Sequence, residues 1–251
     1  MSLSSLRDFT SARVGLARTG NSLPTGEMLA LQFAQARARE AVHSKLDVPA
    51  LALELRQAGG EEPIFAHSRA TDRQVYLRRP DLGRRLQEES RTRVLSRAGQ
   101  FDAVFVIADG LSALAVQMHA PPMIATARRL LPAADWSIAP YVIVEQGRVA
   151  IGDEIGECIG AALSVVLIGE RPGMSAADSL GVYLTWNPHV GLNDAQRNCI
   201  SNIRTGGLSY ADAASRLGFL MNESRRRKVS GVALRVDASL LPGADTDSDA
   251  E

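Results

Sequence analysis

The segment GERPG, residues 169–173, places two oppositely charged side chains directly after an apolar run. The run extends from Leu163 to Ile168, and its β-branched composition predicts a buried parallel strand. Glu170 and Arg171 would then lie at the carboxyl end of that strand, where open α/β sheets bind ligands. A carboxylate there could accept hydrogen bonds from a ligand. The alternative is a surface turn closed by a salt bridge.

Three glycines spaced by four residues, Gly152, Gly156 and Gly160, fall on one face of a predicted helix. A helix face without side chains would let a flat, wide group approach the backbone. Close packing of this helix against a strand is the more ordinary interpretation, and it is the one we favour.

A third candidate is DAQRNCISNIR, residues 194–204, in which Asn198, Cys199 and Ser201 are small polar residues in an otherwise apolar neighbourhood. Such residues could line a ligand site. The alternative is a helix cap together with a buried thiol that packs as a small hydrophobic group.

The motifs of common self-sufficient catalysts are absent from the sequence. It has no GxxxxGK[ST], no GxGxxG after a strand, no GxSxG and no HExxH. The four histidines are scattered, and the two cysteines, Cys158 and Cys199, have neither CxxC nor zinc spacing. The sequence therefore predicts no catalytic residue and no metal site of its own.

Composition excludes several classes of protein. The 251 residues are 45% apolar and 22% charged, which suits a folded chain with a sizeable core. The formal net charge of zero argues against a dedicated nucleic-acid binder. No apolar run is long enough to span a bilayer, and no signal peptide pattern precedes the first helix. A cytoplasmic protein in a reducing compartment is expected.

The chain divides by pattern near residue 100. Residues 1–99 are predicted to form an N-terminal helical region, with helices at Pro24–Ala41, Pro49–Ala58 and Pro80–Ala98. The only sheet pattern in this region is a possible short strand near Gln74–Leu77.

After residue 100, strands alternate with helices, which predicts an α/β fold whose sheet is largely parallel. This domain is expected to cover residues 100–241, and a short helix is expected near Ala176–Leu180. Residues 242–251 read as a disordered acidic tail.

Several long segments resemble the small, or beta, subunit of ethanolamine ammonia-lyase. The resemblance runs from about Leu6 to Val236, and the segments occur in the family's order. They are LRDFTSARVGLARTG, SLPTGEMLALQFAQARAREAVH, VFVIADGLSALAV, VEQGRVAIGDEIGE, VVLIGERPGMS, DSLGVYLTWNPHVGLNDAQRNCISNIRTGGLSY and RRRKVSGV.

The resemblance implies a hetero-oligomer that depends on adenosylcobalamin. A separate large subunit, a (β/α)8 barrel, would hold ethanolamine, and a Rossmann-like sheet of the present chain would cover the cobalamin between them. The cofactor's adenosyl radical would abstract hydrogen from ethanolamine, which then yields acetaldehyde and ammonia. Residues of this chain would hold the cofactor without touching the substrate. Some enzymes of this kind are enclosed in a bacterial microcompartment, and the sequence leaves that open.

The family's cofactor positions in this subunit fall on Val149 in QGRVAIG, Glu170 in GERPG and Cys199 in RNCIS. The resemblance implies that Arg171 pairs either with a phosphate or with the large subunit, and both alternatives stay open. No histidine lies in the D-x-H-x-x-G motif with which some proteins replace the lower base of cobalamin. The cofactor is therefore expected to be base-on, and its cobalt is expected to need no ligand from this chain.

Two functions of other classes remain as alternatives. A nucleotide-dependent α/β enzyme acting alone would need a phosphate-binding glycine loop. A non-catalytic assembly protein would use its N-terminal helices as a binding surface for a partner.

Overall fold

A computed structural model of the chain describes residues 13–16, 18–59 and 61–234. The predicted acidic tail, residues 242–251, lies outside these residues. The α-helices are Thr25–His43 (α1), Val48–Gln57 (α2), Arg73–Arg78 (α3), Glu88–Leu95 (α4), Ala113–Leu130 (α5), Ile151–Ile159 (α6) and Tyr210–Arg227 (α7). The strands are Ile64–His67 (β1), Phe101–Ala108 (β2), Val142–Glu145 (β3), Ala161–Gly169 (β4), Leu180–Trp186 (β5) and Arg197–Ile203 (β6).

The strands form one six-stranded sheet in the order β1-β3-β2-β4-β5-β6. Strands β1, β3, β2 and β4 pair in parallel, whereas β5 pairs antiparallel with β4 and β6 antiparallel with β5. The predicted α/β class is confirmed, but the sheet is mixed rather than largely parallel. A parallel return needs a crossover of a dozen or more residues, usually a helix. The connections 170–179 and 187–196 contain no α-helix, so each strand returns antiparallel.

Each face of the sheet carries its own hydrophobic core. On the first face, Phe105 and Leu163 belong to the cluster that includes Met123 of α5 and Met221 of α7. On the second face, Val106 of β2 belongs to a cluster that also includes residues of β4, α4 and α6. Strands β2 and β4 are buried on both faces, which explains why both read as nearly continuous apolar runs in the sequence.

The N-terminal hundred residues are not purely helical. Helices α1 and α2 confirm two of the predicted helices, and the segment predicted at Pro80–Ala98 holds the shorter α4. The strand near Gln74–Leu77 is wrong, because these residues lie in α3, whose N-terminus is capped by the Asp72 carboxylate. The strand of this region is β1, which pairs with β3 across the proposed boundary. The division at residue 99 itself stays a prediction.

The helix expected near Ala176–Leu180 is also wrong, since residues 176–179 are irregular and Leu180 begins β5. Short hydrogen bonds hold this connection instead. The amide N–H of Gly173 donates to the carbonyl oxygen of Ala176 over 2.9 Å, and the Ala176 N–H donates back over 3.2 Å.

Candidate functional site

Glu170 lies directly beyond the last residue of β4, as the sequence predicts. Gly169 ends the strand where the backbone of α5's first turn comes close, and a Cβ there would lie 2.0 Å from the carbonyl oxygen of Ser112. The Leu111 N–H donates to the carbonyl oxygen of Gly169 over 2.9 Å. Only glycine fits this approach, so the strand end and Glu170 are held at a fixed place.

The carboxylate of Glu170 is half-buried and oriented through one of its oxygens. Oε2 accepts hydrogen bonds from Ser179 Oγ over 2.5 Å and from the Asn202 N–H over 3.3 Å. Oε1 lies over Gly181, 2.9 Å from where a Cβ of that residue would be. Oε1 accepts no hydrogen bond from the described residues, so it has acceptor capacity left for a ligand.

The salt-bridge interpretation of GERPG is not supported. Arg171 is exposed, and among residues 13–16, 18–59 and 61–234 it forms no ion pair with Glu170 or any other carboxylate. Glu170 is instead held by a hydroxyl and a backbone amide. Arg171 therefore remains free for a partner outside the described chain.

Cys199 lies on β6, where it pairs directly with Tyr183 of β5. The expectation of a helix cap with a buried thiol is wrong, because the residue is in a strand and exposed, whereas Cys158 is the buried cysteine. Although Cys199 is exposed, partial desolvation by its neighbours raises the pKa of its thiol, the adjacent Tyr183 hydroxyl opposes the rise, and the Glu170 carboxylate adds to it. Burial likewise raises the pKa of Tyr183, and Cys199 adds to this.

Tyr183 lies between Glu170 and Cys199 on one face of the sheet. Its ring lies 3.1 Å from the site of a Gly181 Cβ, next to the Glu170 carboxylate, and it packs against the second core cluster. Glu170, Tyr183 and Cys199 thus form a polar patch that extends from the end of β4 across β5 and β6. The sequence analysis missed Tyr183 and Ser179, because the pairing between strands that brings them to Glu170 is not visible in a linear pattern.

Val149 occupies the loop between β3 and α6, on the same face of the sheet. Gln146 turns this loop with a φ of 55°, and the Gly147 N–H donates to Asp109 Oδ1 over 3.1 Å. The Val149 side chain is partly buried and packs against the same core cluster as Tyr183. It offers an apolar wall at the start of α6.

A buried ion pair fixes the Val149 loop relative to the strand of Cys199. Asp153, in the first turn of α6, pairs with Arg197, which lies two residues before Cys199 on β6, and both side chains are almost fully buried. Burial raises the pKa of Asp153 to about 6, against the opposing effect of the Arg197 guanidinium. Removing either partner would leave an uncompensated buried charge.

The glycines of α6 serve packing, as favoured above. A Cβ on Gly152 would lie 2.3 Å from Val166 Cγ2, and one on Gly156 would lie 2.4 Å from Pro188 Cγ. Gly160 is not on the helix face but caps its end with a φ of 79°. The glycines of α6 therefore leave no bare helix face that a flat ligand could approach.

The comparison with protein families decides the identity. The model of the family described as "Ethanolamine ammonia-lyase light chain (EutC)" matches residues 1–235. The chain belongs to this family. It therefore takes the part of the small subunit in an ethanolamine ammonia-lyase, as a component of a lyase complex.

Individual relatives agree with the family match. Proteins described as ethanolamine ammonia-lyase small subunit include one from Pseudomonas aeruginosa strain PAO1, 54% identical over 94% of this chain and 87% of the relative. Another, from Azotobacter vinelandii, is 54% identical over 95% of this chain and 90% of its own length. A third, from Pseudomonas fluorescens strain Pf-5, is 50% identical over 98% of this chain and 90% of its own length.

Among the described residues, no helix is long and apolar enough to cross a membrane.

Proposed function

We propose that the chain binds adenosylcobalamin together with the large subunit of ethanolamine ammonia-lyase. The observation that carries the proposal is the free Oε1 of Glu170 at the carboxyl end of a parallel strand. It lies beside Tyr183 and Cys199 on a part of the sheet face with exposed side chains. Val149, Glu170 and Cys199 are the proposed cofactor-binding residues, and Tyr183 joins them.

The residues present suit the rim of a corrin ring. Its amide side chains carry N–H donors and carbonyl acceptors, and a carboxylate oxygen without a donor is a matching acceptor for such an N–H. The thiol of Cys199 is a weak donor on the same patch, and Val149 adds an apolar wall. Helix α6 packs on β4 and β2, and beyond it Tyr183 is only half-buried and Cys199 is exposed. These two side chains are therefore accessible to a flat, wide group.

The contribution of this chain to the reaction is binding and orientation. When bound, the cofactor supplies the radical chemistry that starts the deamination of ethanolamine to acetaldehyde and ammonia. Glu170 would hold the cofactor by accepting a hydrogen bond from one rim amide at Oε1. Cys199 and Tyr183 would limit how closely the ring approaches β5 and β6. The buried Asp153–Arg197 pair would keep the Val149 wall at a constant distance from them.

The lower ligand of the cobalt is proposed to remain the cofactor's own base. His189, in NPHVG, is exposed and its Nδ1 lies 2.8 Å from the Asn187 carbonyl oxygen. It lacks the motif of the histidines that replace that base. The large subunit, proposed to be a barrel, would hold ethanolamine on the opposite side of the cofactor. Arg171, without a partner in the described chain, is available to a cofactor phosphate or to that subunit.

Reconstitution tests this function and separates it from the alternatives. The purified chain, the purified large subunit, adenosylcobalamin and ethanolamine should together form acetaldehyde, and omission of either chain should abolish it. Turnover by this chain alone would favour a stand-alone enzyme. Cobalamin that binds the large subunit equally well with and without this chain would favour a non-catalytic assembly protein.

A further inference from the structure

His119 is a buried, polar residue that neither the core nor the proposed cofactor site accounts for. It lies on the inner face of α5 with a relative exposure of 1%. Its Nδ1 is 2.7 Å from the hydroxyl of Tyr210, and its Nε2 is 3.5 Å from Oδ2 of Asp178. Nε2 makes no hydrogen bond with any of the described residues, and the Asp178 carboxylate is the charged group that lies near it. A buried imidazole nitrogen is costly unless a polar group faces it, so the Asp178 carboxylate is its natural counterpart.

The Tyr210 hydroxyl can either donate to Nδ1 or accept from it. We take the tautomer in which Tyr210 donates, so that a neutral imidazole carries its proton on Nε2, the nitrogen that faces Asp178. Tyr210 begins α7, and Asp178 belongs to the connection between β4 and β5. Arg37 of α1 and Arg13 line a cavity of about 380 Å³ together with Asp178. These two arginines and Tyr210 are charged or titratable groups near the pair.

Asp178 is one residue from the group that orients Glu170. Two groups of α5 and its N-cap face this end of the connection. His119 Nε2 lies 3.5 Å from Asp178 Oδ2, and Ser112 Oγ donates to the carbonyl oxygen of Ala177 over 2.9 Å. The next residue, Ser179, donates from Oγ to Glu170 Oε2 and accepts the Glu170 N–H at its carbonyl oxygen. A shift of Asp178 would therefore move the Ser179 hydroxyl, which orients the Glu170 carboxylate.

We propose that His119 is a positioning residue that, through Asp178 and Ser179, sets the orientation of the Glu170 carboxylate. This inference rests on the proposed function, because it assigns His119 an effect on cofactor affinity. A purely structural histidine would stabilise the fold without altering the connection between β4 and β5. A positioning histidine stabilises that connection and affects the cofactor through it.

Three variants of the full chain separate these roles. His119→Leu removes the donor facing Asp178, His119→Gln keeps an amide N–H that can reach it, and Met123→Leu changes an equally buried residue of the same helix. The first measurement is amide hydrogen exchange of residues 170–179 in the full chain without cofactor. The second is the dissociation constant of adenosylcobalamin in the complex reconstituted with the large subunit.

His119→Leu should accelerate exchange across residues 170–179. It should also weaken cobalamin binding by about threefold to tenfold, the range expected if one hydrogen bond at the Glu170 carboxylate is lost. His119→Gln should restore much of both, and Met123→Leu should alter neither. The kcat at saturating cofactor should be unchanged in His119→Leu.

Unchanged exchange in His119→Leu would overturn the proposal. So would faster exchange with unchanged affinity if Glu170→Ala still weakened binding, because the connection would then not govern the carboxylate. Equal losses in His119→Leu and Met123→Leu would reduce His119 to a structural residue. Unchanged affinity in both His119→Leu and Glu170→Ala would instead overturn the assignment of Glu170 to the cofactor, and the inference with it.

Discussion

Ser179 donates a hydrogen bond from Oγ to Oε2 of Glu170 over 2.5 Å, while the Glu170 N–H donates to the Ser179 carbonyl oxygen over 2.9 Å. The two ends of the connection between β4 and β5 thus hold each other. One carboxylate oxygen is engaged within the chain and the other, Oε1, is not. The proposed cofactor contact depends on this division between the two oxygens.

Tyr183→Phe is expected to make Cys199 less reactive. The Tyr183 hydroxyl lowers the pKa of the thiol against the effect of burial, so its loss raises that pKa further and reduces the thiolate fraction. Alkylation of Cys199 by iodoacetamide at a fixed pH near 8 should therefore be slower in Tyr183→Phe than in the unmodified chain. Peptide mapping separates Cys199 from the buried Cys158. An unchanged rate would show that the hydroxyl does not act on the sulfur.

Asp109→Asn is expected to change how stability depends on pH. Asp109 follows β2 and is 4% exposed, and burial raises its pKa to about 6, whereas nearby Arg73 and backbone N–H groups oppose the rise. A raised carboxyl pKa means that the folded state binds the proton more tightly than the unfolded chain does. Its stabilising contribution is therefore complete below about pH 4, the unfolded value, and is lost as the pH rises through 6.

The Asn side chain does not titrate, but its carbonyl can still accept the Gly147 N–H. Urea unfolding between pH 4 and pH 7 should show that the free energy of unfolding of Asp109→Asn, relative to the unmodified chain, increases with pH. A difference that is constant over this range would contradict the assignment of the raised pKa to Asp109.

Gly152→Ala tests whether the glycines of α6 serve packing. The new methyl would lie 2.3 Å from Val166 Cγ2, so the helix must shift, and overpacking of this kind costs about 1–3 kcal/mol. Gly26→Ala in α1 is the matched control, because no atom lies within 4 Å of its added Cβ. That change should be neutral or stabilise by up to about 1 kcal/mol. Equal unfolding free energies for the two variants would argue against close packing under Gly152.

The sequence predicts the parts of this fold that are buried on both faces. Continuous apolar residues made β2 and β4 recognisable, and the strand end at Gly169 followed from them. The short edge strand β1 was missed, since IFAH offers only four residues and ends in a histidine. The apolar residues Val75 and Leu77 are two positions apart, a spacing that resembles a strand. The Asp72 cap instead starts a helix there. An apolar run does not show the direction of a strand, so the sequence did not predict that β5 and β6 pair antiparallel.

The candidate site was predictable to a similar extent. Glu170 could be placed from local pattern because it follows a strand. Cys199 stood out as a small polar residue in an apolar neighbourhood, and Val149 came from the family resemblance alone. Tyr183, Ser179 and the Arg197–Asp153 pair depend on contacts between segments distant in sequence. Charge and polarity within a short window carry no information on such contacts.

Glu170→Ala gives the most direct test of the proposed site. A charge-assisted hydrogen bond from a corrin amide to Oε1 is worth roughly 1.5–3 kcal/mol, so its loss should weaken adenosylcobalamin binding by about tenfold to a hundredfold. The measurement is a titration of adenosylcobalamin against the complex of this chain with the large subunit. Glu88→Ala, which removes a carboxylate that is 75% exposed, is the control and should leave the affinity unchanged. Excess cofactor should largely restore the activity of Glu170→Ala, whereas an unchanged dissociation constant for that variant would remove Glu170 from the cofactor site.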